Sequence, residues 1–246
     1  MPDTRTHRGP HPSDPNLFRA AVIPTLREAM ADYCWLLTRG YSGDAALKLV
    51  GDHFQLAARQ RLALVRGGCS NLVSDRRKAQ RVELAALRGR RVAVDGFNCL
   101  ITVEAALSGG VVLRAVDGSH KDLASVHGTY RHVSETPDAL DQLCDTLSRQ
   151  HPEHVVWYLD SPVSNSGKLA TLMRNRFEAK GLAWDVELVK DADRAIQQSR
   201  AVAASSDGWV LDEAAGWVDL AGATVLATAP DAWVVDLRPQ EDLTVK

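Results

Sequence analysis

The chain has 246 residues, of which 45% are hydrophobic and 24% are charged, and this composition is typical of a folded globular protein. The formal net charge of −2 excludes a chain that is basic throughout, but it leaves room for local basic surfaces that bind nucleic acid. Four scattered cysteines without a Cys-x-x-Cys pair predict neither a zinc site nor a disulfide framework, and they favour a cytoplasmic protein with reduced thiols. No apolar run approaches the roughly 20 residues of a membrane span, so we expect no membrane partner.

The first part of the chain predicts a disordered tail followed by a helical module. Residues 1–12 are polar and contain Pro, Arg and His, as disordered tails often do. From 13 to 88, apolar residues recur at helical spacing, and Pro24 is placed to kink or split the first helix. Ser13 and Ser42 are placed as helix caps. The predicted helices cover about residues 14–39, 43–50, 56–65 and 75–87.

The pattern changes near residue 90, where short β-branched runs begin to alternate with helical stretches. This alternation predicts an α/β domain over 89–246, with a mainly parallel sheet flanked by helices. The predicted strands are 91–95, 154–159, 184–189 and 200–205, with weaker ones at 110–116, 223–227 and 232–236. The predicted helices are 98–107, 137–150, 166–180 and 191–199. Residues 110–135 interrupt the alternation and predict a hairpin or an inserted loop.

Four aspartates lie at or just past the ends of the main predicted strands. Asp95 and Asp160 each end an apolar strand, while Asp193 and Asp207 follow the next two. Ligands of open α/β sheets bind beyond the carboxyl ends of the strands, so these side chains would gather at one rim. Such a cluster is costly without a cation, and carboxylate oxygens suit Mg²⁺ or Mn²⁺. Weaker candidates for the same metal site are Glu104, Asp117, Asp122 and Asp191.

Each of these aspartates also has a purely structural explanation. Carboxylates are favoured near helix N-termini in any protein, and helix capping alone could explain the segments that contain Asp193 and Asp207. The segment Asp95-Gly96-Phe97-Asn98 likewise fits an ordinary strand-to-helix turn. Helix capping and metal binding therefore both remain open for these positions.

Two further segments are candidates for binding a phosphate-containing substrate. The loop after the strand that ends at Asp160 carries serines and a lysine just before a predicted helix, although it lacks the spacing of a Walker loop. The last helix of the module begins with basic residues that would contact a nucleic-acid backbone. The candidate substrate-binding residues are Asn98, Ser161, Ser164, Ser166, Lys168, Arg76, Arg77, Lys78 and Arg81.

Three short motifs carry a family resemblance. Asp95 ends the first strand and Asn98 follows three residues later; Lys190-Asp191-Ala192-Asp193 precedes a helix; and Ser205-Ser206-Asp207 follows the next strand. With these motifs, residues 90–237 resemble the PIN-like superfamily of metal-dependent ribonucleases, especially its NYN branch. Residues 14–70 resemble a short helical module found joined to PIN-like domains in prokaryotic proteins.

The resemblance implies a PIN-like fold, cleavage of RNA, and Mg²⁺ or Mn²⁺ held by the four aspartates Asp95, Asp160, Asp193 and Asp207. Three features depart from the family pattern: Asp191 stands where the family has glycine, Trp209 follows where a second Asp is common, and residues 110–135 have no simple family counterpart. A second hypothesis is therefore a catalytically weak or inactive PIN-like module that binds RNA or a protein partner through its helices. A phosphatase with an aspartyl nucleophile ranks third, because Phe97 stands where its second Asp would lie.

Overall fold

The N-terminal part of the chain is helical, as its apolar periodicity predicts. In the computed structural model, which describes residues 7–123 and 130–239, this part forms five α-helices. They are α1 (Asp14–Leu17), α2 (Ile23–Thr38), α3 (Gly43–His53), α4 (Ala58–Gly67) and α5 (Asn71–Gln80). Single turns of 3₁₀ helix precede α2 at Ala20–Val22 and follow α5 at Leu84–Leu87.

Prolines and serines set the ends of these helices. Pro24 lies in the first turn of α2, so it splits the predicted first helix in two, because proline lacks the N–H that an interior turn requires. Ser42 caps α3 as predicted. Ser70 caps α5, which therefore begins before the predicted residue 75 and ends at Gln80.

From Arg91 onward, strands and helices alternate. The strands are β1 (Arg91–Asp95), β2 (Val112–Arg114), β3 (His120–Asp122), β4 (His154–Asp160), β5 (Asp185–Val189), β6 (Val202–Ala204), β7 (Trp217–Val218) and β8 (Val234–Asp236). The helices are α6 (Gly96–Leu107), α7 (Thr136–Ser148), α8 (Ser166–Ala179), α9 (Ala192–Ser199), α10 (Gly208–Glu213) and α11 (Leu220–Thr228).

One predicted element has the wrong type. Residues 223–227 are predicted as a strand but lie inside α11. Asp219 caps this helix by accepting a hydrogen bond from the amide of Gly222, and the cap starts the segment as a helix. The sequence also does not predict α10 and β7, which are both very short.

The main sheet has five parallel strands in the order β5-β4-β1-β6-β7, which confirms the predicted α/β class with a parallel sheet flanked by helices. Its central strands are apolar on both faces, because helices cover both. Val94 and Trp157 pack with residues of α6, α7, α8 and α11. The alternate residues Ala93 and Val156 pack with Ile196 and other residues of α9 and α10.

A second sheet joins the helical module to the rest of the chain. β2 and β3 form the hairpin predicted within 110–135, and β8 adds in parallel to β2, giving the order β3-β2-β8. Leu26 and Met30 of α2 and Leu64 of α4 are fully buried in one cluster with Leu113 of β2. The module thus shares an apolar core with this sheet.

A buried ion pair holds the segment that precedes α1. Arg8 is buried and donates to Glu104 of α6. The same carboxylate accepts hydrogen bonds from the hydroxyls of Tyr130 and Thr136, both at 2.6 Å. The predicted disordered tail over 1–12 therefore includes a well-anchored residue, while its residues 1–6 lie outside the described residues.

Arg77 fastens α5 to the α/β domain. Its guanidinium donates to Asp117 at 2.9 Å, to Asp212 at 2.9 Å and to the carbonyl of Gly208 at 2.9 Å. The side chain is only 8% exposed, so these partners replace the water that the charge has lost.

We expect the substitution Arg77→Ala to lower the free energy of unfolding by about 3–5 kcal/mol, because it removes the ion-pair and hydrogen-bond partner of the buried Asp117. Arg76→Ala is the matched control. Arg76 also pairs with Asp212, at 2.7 Å, but its side chain is 49% exposed. Its loss is expected to cost at most about 1 kcal/mol. Urea denaturation measures both variants, and equal destabilisation would contradict the assigned role of Arg77.

Candidate functional site

A pocket of about 490 Å³ opens beside the carboxyl ends of β1 and β4. It is termed the carboxylate pocket because five aspartates contribute to its lining. They are Asp95, Asp122, Asp160, Asp193 and Asp207. Other polar residues of the lining are Asn98, Ser206, Arg66, Arg77 and Lys121. The four aspartates predicted from the strand ends thus meet in one place.

The sheet register explains why these side chains converge. Asp95 lies beside Tyr158 of β4, so the end of β1 and the end of β4 point to the same edge. Val94 lies beside Ala204, the last residue of β6, and Asp207 follows three positions later. Asp193 lies in the first turn of α9, which follows β5. Parallel strands therefore deliver the four carboxylates to one rim.

Asp95 is the most enclosed of the four. It is 7% exposed, caps α6 by accepting from the amide of Asn98 at 3.2 Å, and accepts from the hydroxyl of Ser205 at 2.8 Å. Burial, with a smaller contribution from the negative charges of Asp193 and Asp207, raises the pKa of Asp95 to about 7. The carboxylate is thus held rigidly where its ionised form is disfavoured.

Asp193 has the freest carboxylate in the pocket. Neither of its oxygens accepts a hydrogen bond from the residues that the structure describes. Burial raises the pKa of Asp193 to about 6, assisted by the charges of Asp207 and Asp160. Because these shifts include mutual repulsion, a bound cation would stabilise the ionised forms of both Asp95 and Asp193.

Asp160 and Asp207 each use one carboxylate oxygen for local structure. Asp160 accepts from the amide of Ala192 at 2.8 Å and so ties β4 to α9. Asp207 caps α10 by accepting from the amides of Trp209 at 2.8 Å and Val210 at 3.4 Å. Capping and a ligand role are compatible here, because the second oxygen of each accepts no hydrogen bond from any described residue.

Asn98 joins the turn after β1 to the turn after β6. Its side-chain oxygen accepts from both the amide and the hydroxyl of Ser206, each at 2.9 Å. This oxygen is therefore committed to holding the rim, and the side-chain NH₂ group is the part left to meet a substrate. Ser205 and Ser206 belong to the motif that includes Asp207, yet their positioning roles depend on contacts between distant segments, which the sequence does not reveal.

Positive charge also lines the pocket. Lys121 of β3 is enclosed beside the carboxylates of Asp117 and Asp207, and burial lowers its pKa. The sequence does not single it out, because only the packing of the hairpin places it at this rim. Asp122, a weaker candidate, reaches the lining but pairs with Arg66 at 3.2 Å.

The other weaker acidic candidates lie outside the pocket lining. Glu104 is buried in the cluster around Arg8, and Asp117 accepts from Arg77 and from the amide and hydroxyl of Ser119. Asp191 is exposed and caps α9 by accepting from the amide of Arg194 at 2.9 Å. These carboxylates thus serve ion pairs and helix capping.

The candidate phosphate-binding loop also lies apart from the pocket lining. Ser161, Ser164 and Lys168 are exposed, while Ser166 is buried and its hydroxyl donates to the carbonyl of Ser161 at 3.4 Å. The four basic candidates of α5 and its C-terminal end divide into two pairs. Arg76 and Arg77 are engaged with Asp212, whereas Lys78 and Arg81 line a different cleft.

The donor set fits a hard divalent cation. The lining offers carboxylate oxygens, and its described residues include neither histidine nor cysteine, a combination that suits Mg²⁺ or Mn²⁺. Among the described residues, no three His, Cys, Asp or Glu side chains already stand close enough together to form a metal-binding group. The carboxylates would therefore have to turn toward a cation as it binds, which the free oxygens of Asp193, Asp160 and Asp207 permit.

The fold and the pocket define an α/β protein with an acidic pocket at the carboxyl edge of a parallel sheet. Residues 84–223 match the family described as Domain of unknown function (DUF5616), and the chain belongs to that family. Residues 25–80, which include most of the helical module, match the family described as Protein of unknown function (DUF434).

The chain is also similar to an uncharacterized protein over most of its length. Uncharacterized protein MJ0935 of Methanocaldococcus jannaschii is 30% identical over 189 residues, covering 77% of this chain and 90% of that protein. No solved structure is significantly similar to the chain. Within residues 7–123 and 130–239, none of the helices combines the length and apolar character needed to cross a bilayer.

Proposed function

We propose that the chain is a metal-dependent nuclease that hydrolyses phosphodiester bonds in RNA. The observation that supports this proposal is the convergence of Asp95, Asp160, Asp193 and Asp207 in one pocket at the carboxyl edge of the sheet. Helix capping explains Asp95 and Asp207 separately, but it requires no shared pocket. Their mutual repulsion, visible in the raised pKa values of Asp95 and Asp193, is the cost that a bound cation would offset.

The four aspartates would hold Mg²⁺ or Mn²⁺, which supplies a bound water of lowered pKa and positive charge against the scissile phosphate. Ser205 and the amide of Asn98 orient the carboxylate of Asp95. Lys121 would place its ammonium group against a phosphate oxygen at the rim. The choice of RNA as substrate rests on the resemblance of residues 90–237 to NYN-type ribonucleases.

A second candidate function is a PIN-like module that binds RNA or a protein without cleaving. Two observations favour it. No three potential metal ligands stand ready-made among the described residues, and Trp209 occupies a position where the family often has a second Asp. This candidate keeps the fold and the binding surfaces but assigns no metal to the aspartates.

Cleavage of end-labelled substrates tests the two candidates. Single-stranded RNA, structured RNA and DNA are each incubated with the purified chain in Mn²⁺, Mg²⁺ or EDTA. The nuclease proposal predicts cleavage of RNA that requires a divalent cation and stops in EDTA. Absence of cleavage by folded protein on every substrate would favour the binding module.

A further inference from the structure

A second and larger cleft lies between the helical module and the three-stranded sheet. It encloses about 1050 Å³ and is lined by residues of α2, α5, β2 and β8 and by residues that follow α5, β2 and β8. It is termed the basic cleft, because five of its side chains are cationic. They are Arg27, Lys78, Arg81, Arg114 and Arg238. Among the described residues, the carboxylates of the same lining are Asp75, Asp117 and Asp236.

The carboxylates do not neutralise this cationic set. Asp117 is bound at 2.9 Å by Arg77, which is not part of the cleft lining. Asp236 is shared between Arg238, at 2.7 Å, and Arg114, at 3.8 Å. Arg81 lies 4.0 Å from Asp219, which is not part of the lining. Among the residues that the structure describes, the lining still keeps an excess of positive charge, which an anionic ligand would complement.

Two of the cations are placed to meet a ligand. The ammonium group of Lys78 forms no ion pair or hydrogen bond with any residue that the structure describes. The Nε atom of Arg114 is buried and has no hydrogen-bond partner among the described residues. Buried donors of this kind are normally satisfied, so an acceptor atom is expected opposite Arg114.

An exposed indole stands in the same lining. Trp35 is 52% exposed, and the guanidinium of Arg39 lies 4.6 Å from the centre of its ring. Sites for single-stranded nucleic acid typically combine a groove of cationic side chains with an exposed aromatic ring. The cations bind the phosphates of the nucleic acid, and a base stacks on the ring. Trp35 thus distinguishes this cleft from a site for a bare anion.

Helix α5 forms a wall between the basic cleft and the carboxylate pocket. Ser74 and Lys78 line the cleft, while Arg77 lines the pocket. The ion pair between Arg77 and Asp117 connects the two linings directly. One nucleic-acid strand that lies over this wall would place separate phosphates in both sites.

We propose that the basic cleft binds single-stranded RNA next to the bond that the carboxylate pocket cleaves, with Lys78 and Arg114 on phosphates and Trp35 stacked on a base. The placement of the scissile bond rests on the proposed nuclease function. Binding in the cleft does not, because it is measured without metal. The four basic residues predicted from the sequence therefore have different roles: Lys78 faces the ligand, whereas Arg77 holds the fold. Arg81 lines the cleft but also donates to the carbonyl of Gly118 and lies 4.0 Å from Asp219.

The test is fluorescence anisotropy of a labelled oligouridylate titrated with the full chain in EDTA. Trp35→Ala is expected to weaken binding about 5- to 150-fold, the range that corresponds to loss of one stacked base. Its control is Tyr41→Ala, which removes another exposed aromatic side chain (51% exposed) of the module that does not line the cleft.

Salt dependence tests the phosphate contact separately. Lys78→Ala is expected to reduce the slope of log affinity against log salt by about 0.7, as expected when one single-strand phosphate contact is lost. Lys48→Ala is the control, because Lys48 is exposed on α3 and already pairs with Asp52. Circular dichroism establishes that all four variants are folded.

Unchanged affinity in Trp35→Ala and unchanged salt slope in Lys78→Ala would overturn the proposal, even if the chain cleaves RNA. Competition by polyglutamate as effective as that by unlabelled oligouridylate would also overturn it, in favour of an acidic protein partner. RNA binding in EDTA that is weakened by the cleft substitutions, together with no metal-dependent cleavage, would support the proposal for the basic cleft and reject the nuclease proposal alone.

Discussion

The substitution Asp95→Asn is expected to lower metal-dependent cleavage of RNA by at least about a hundredfold. Mutation of residues that merely support metal ligands lowers metal affinity or activity about 10- to 100-fold. Removal of the charge of a ligand should lower activity by no less. Asn can still accept from the amide of Asn98, and its NH₂ group can donate to the hydroxyl of Ser205. The fold should therefore survive, which circular dichroism and urea denaturation can establish.

Asp191→Asn is the matched control for this prediction. Asp191 lies two positions before Asp193 in the sequence and caps α9, but it is exposed and lies outside the carboxylate pocket. Asparagine is an equally good cap, so this variant removes one carboxylate without disturbing the helix. Its cleavage rate should stay within about twofold of the unmodified chain. Equal losses in both variants, or undiminished activity in Asp95→Asn, would remove Asp95 from the site.

The stability of the metal-free protein is expected to fall as the pH rises through the window between about 4 and about 7. The pKa of Asp95 is raised from 3.8 to about 7 by burial and by Asp193, so the folded chain keeps a proton that the unfolded chain has released. Three pKa units correspond to about 4 kcal/mol, which sets the order of magnitude. The raised pKa of Asp193 acts in the same direction, and the two groups titrate as a coupled pair.

Thermal unfolding at about pH 5 and about pH 8 in EDTA measures this effect. Asp95→Asn is the internal reference, because it lacks the titrating group. Its melting temperature should therefore fall much less between these two pH values than that of the unmodified chain. Mg²⁺ or Mn²⁺ should raise the melting temperature at the higher pH, since a cation bound only to the folded state stabilises it. An equal pH dependence in the two proteins would show that the carboxyl of Asp95 titrates as it does in the unfolded chain.

The sequence predicts the central strands and the placement of the aspartates well. β1 and β4 are apolar runs between polar segments, and their length and β-branched content distinguish them from helices. Because parallel strands share a direction, their final aspartates could be assigned to one rim without knowledge of the strand order. The observed order β5-β4-β1-β6-β7 depends on long-range packing and is not encoded in any single segment.

The differences between the sequence-based expectations and the structure have physical causes of the same kind. The apolar run in α11 has no clear period, and only the capping side chain of Asp219 indicates a helix. The serines after β4 look suitable for a phosphate, but the path of the loop keeps them out of the pocket lining. The roles of Lys121 and Arg77 arise from contacts between residues far apart in the chain, which local patterns do not contain.

The most direct test of the carboxylate pocket is a titration of Mn²⁺ followed by electron paramagnetic resonance, which reports free and bound ion separately. We predict that Mn²⁺ binds saturably to the unmodified chain and to Asp191→Asn, and that its affinity for Asp95→Asn is at least about tenfold weaker. Failure of the folded chain to bind Mn²⁺, or equal affinity in all three proteins, would contradict a metal site formed by these carboxylates.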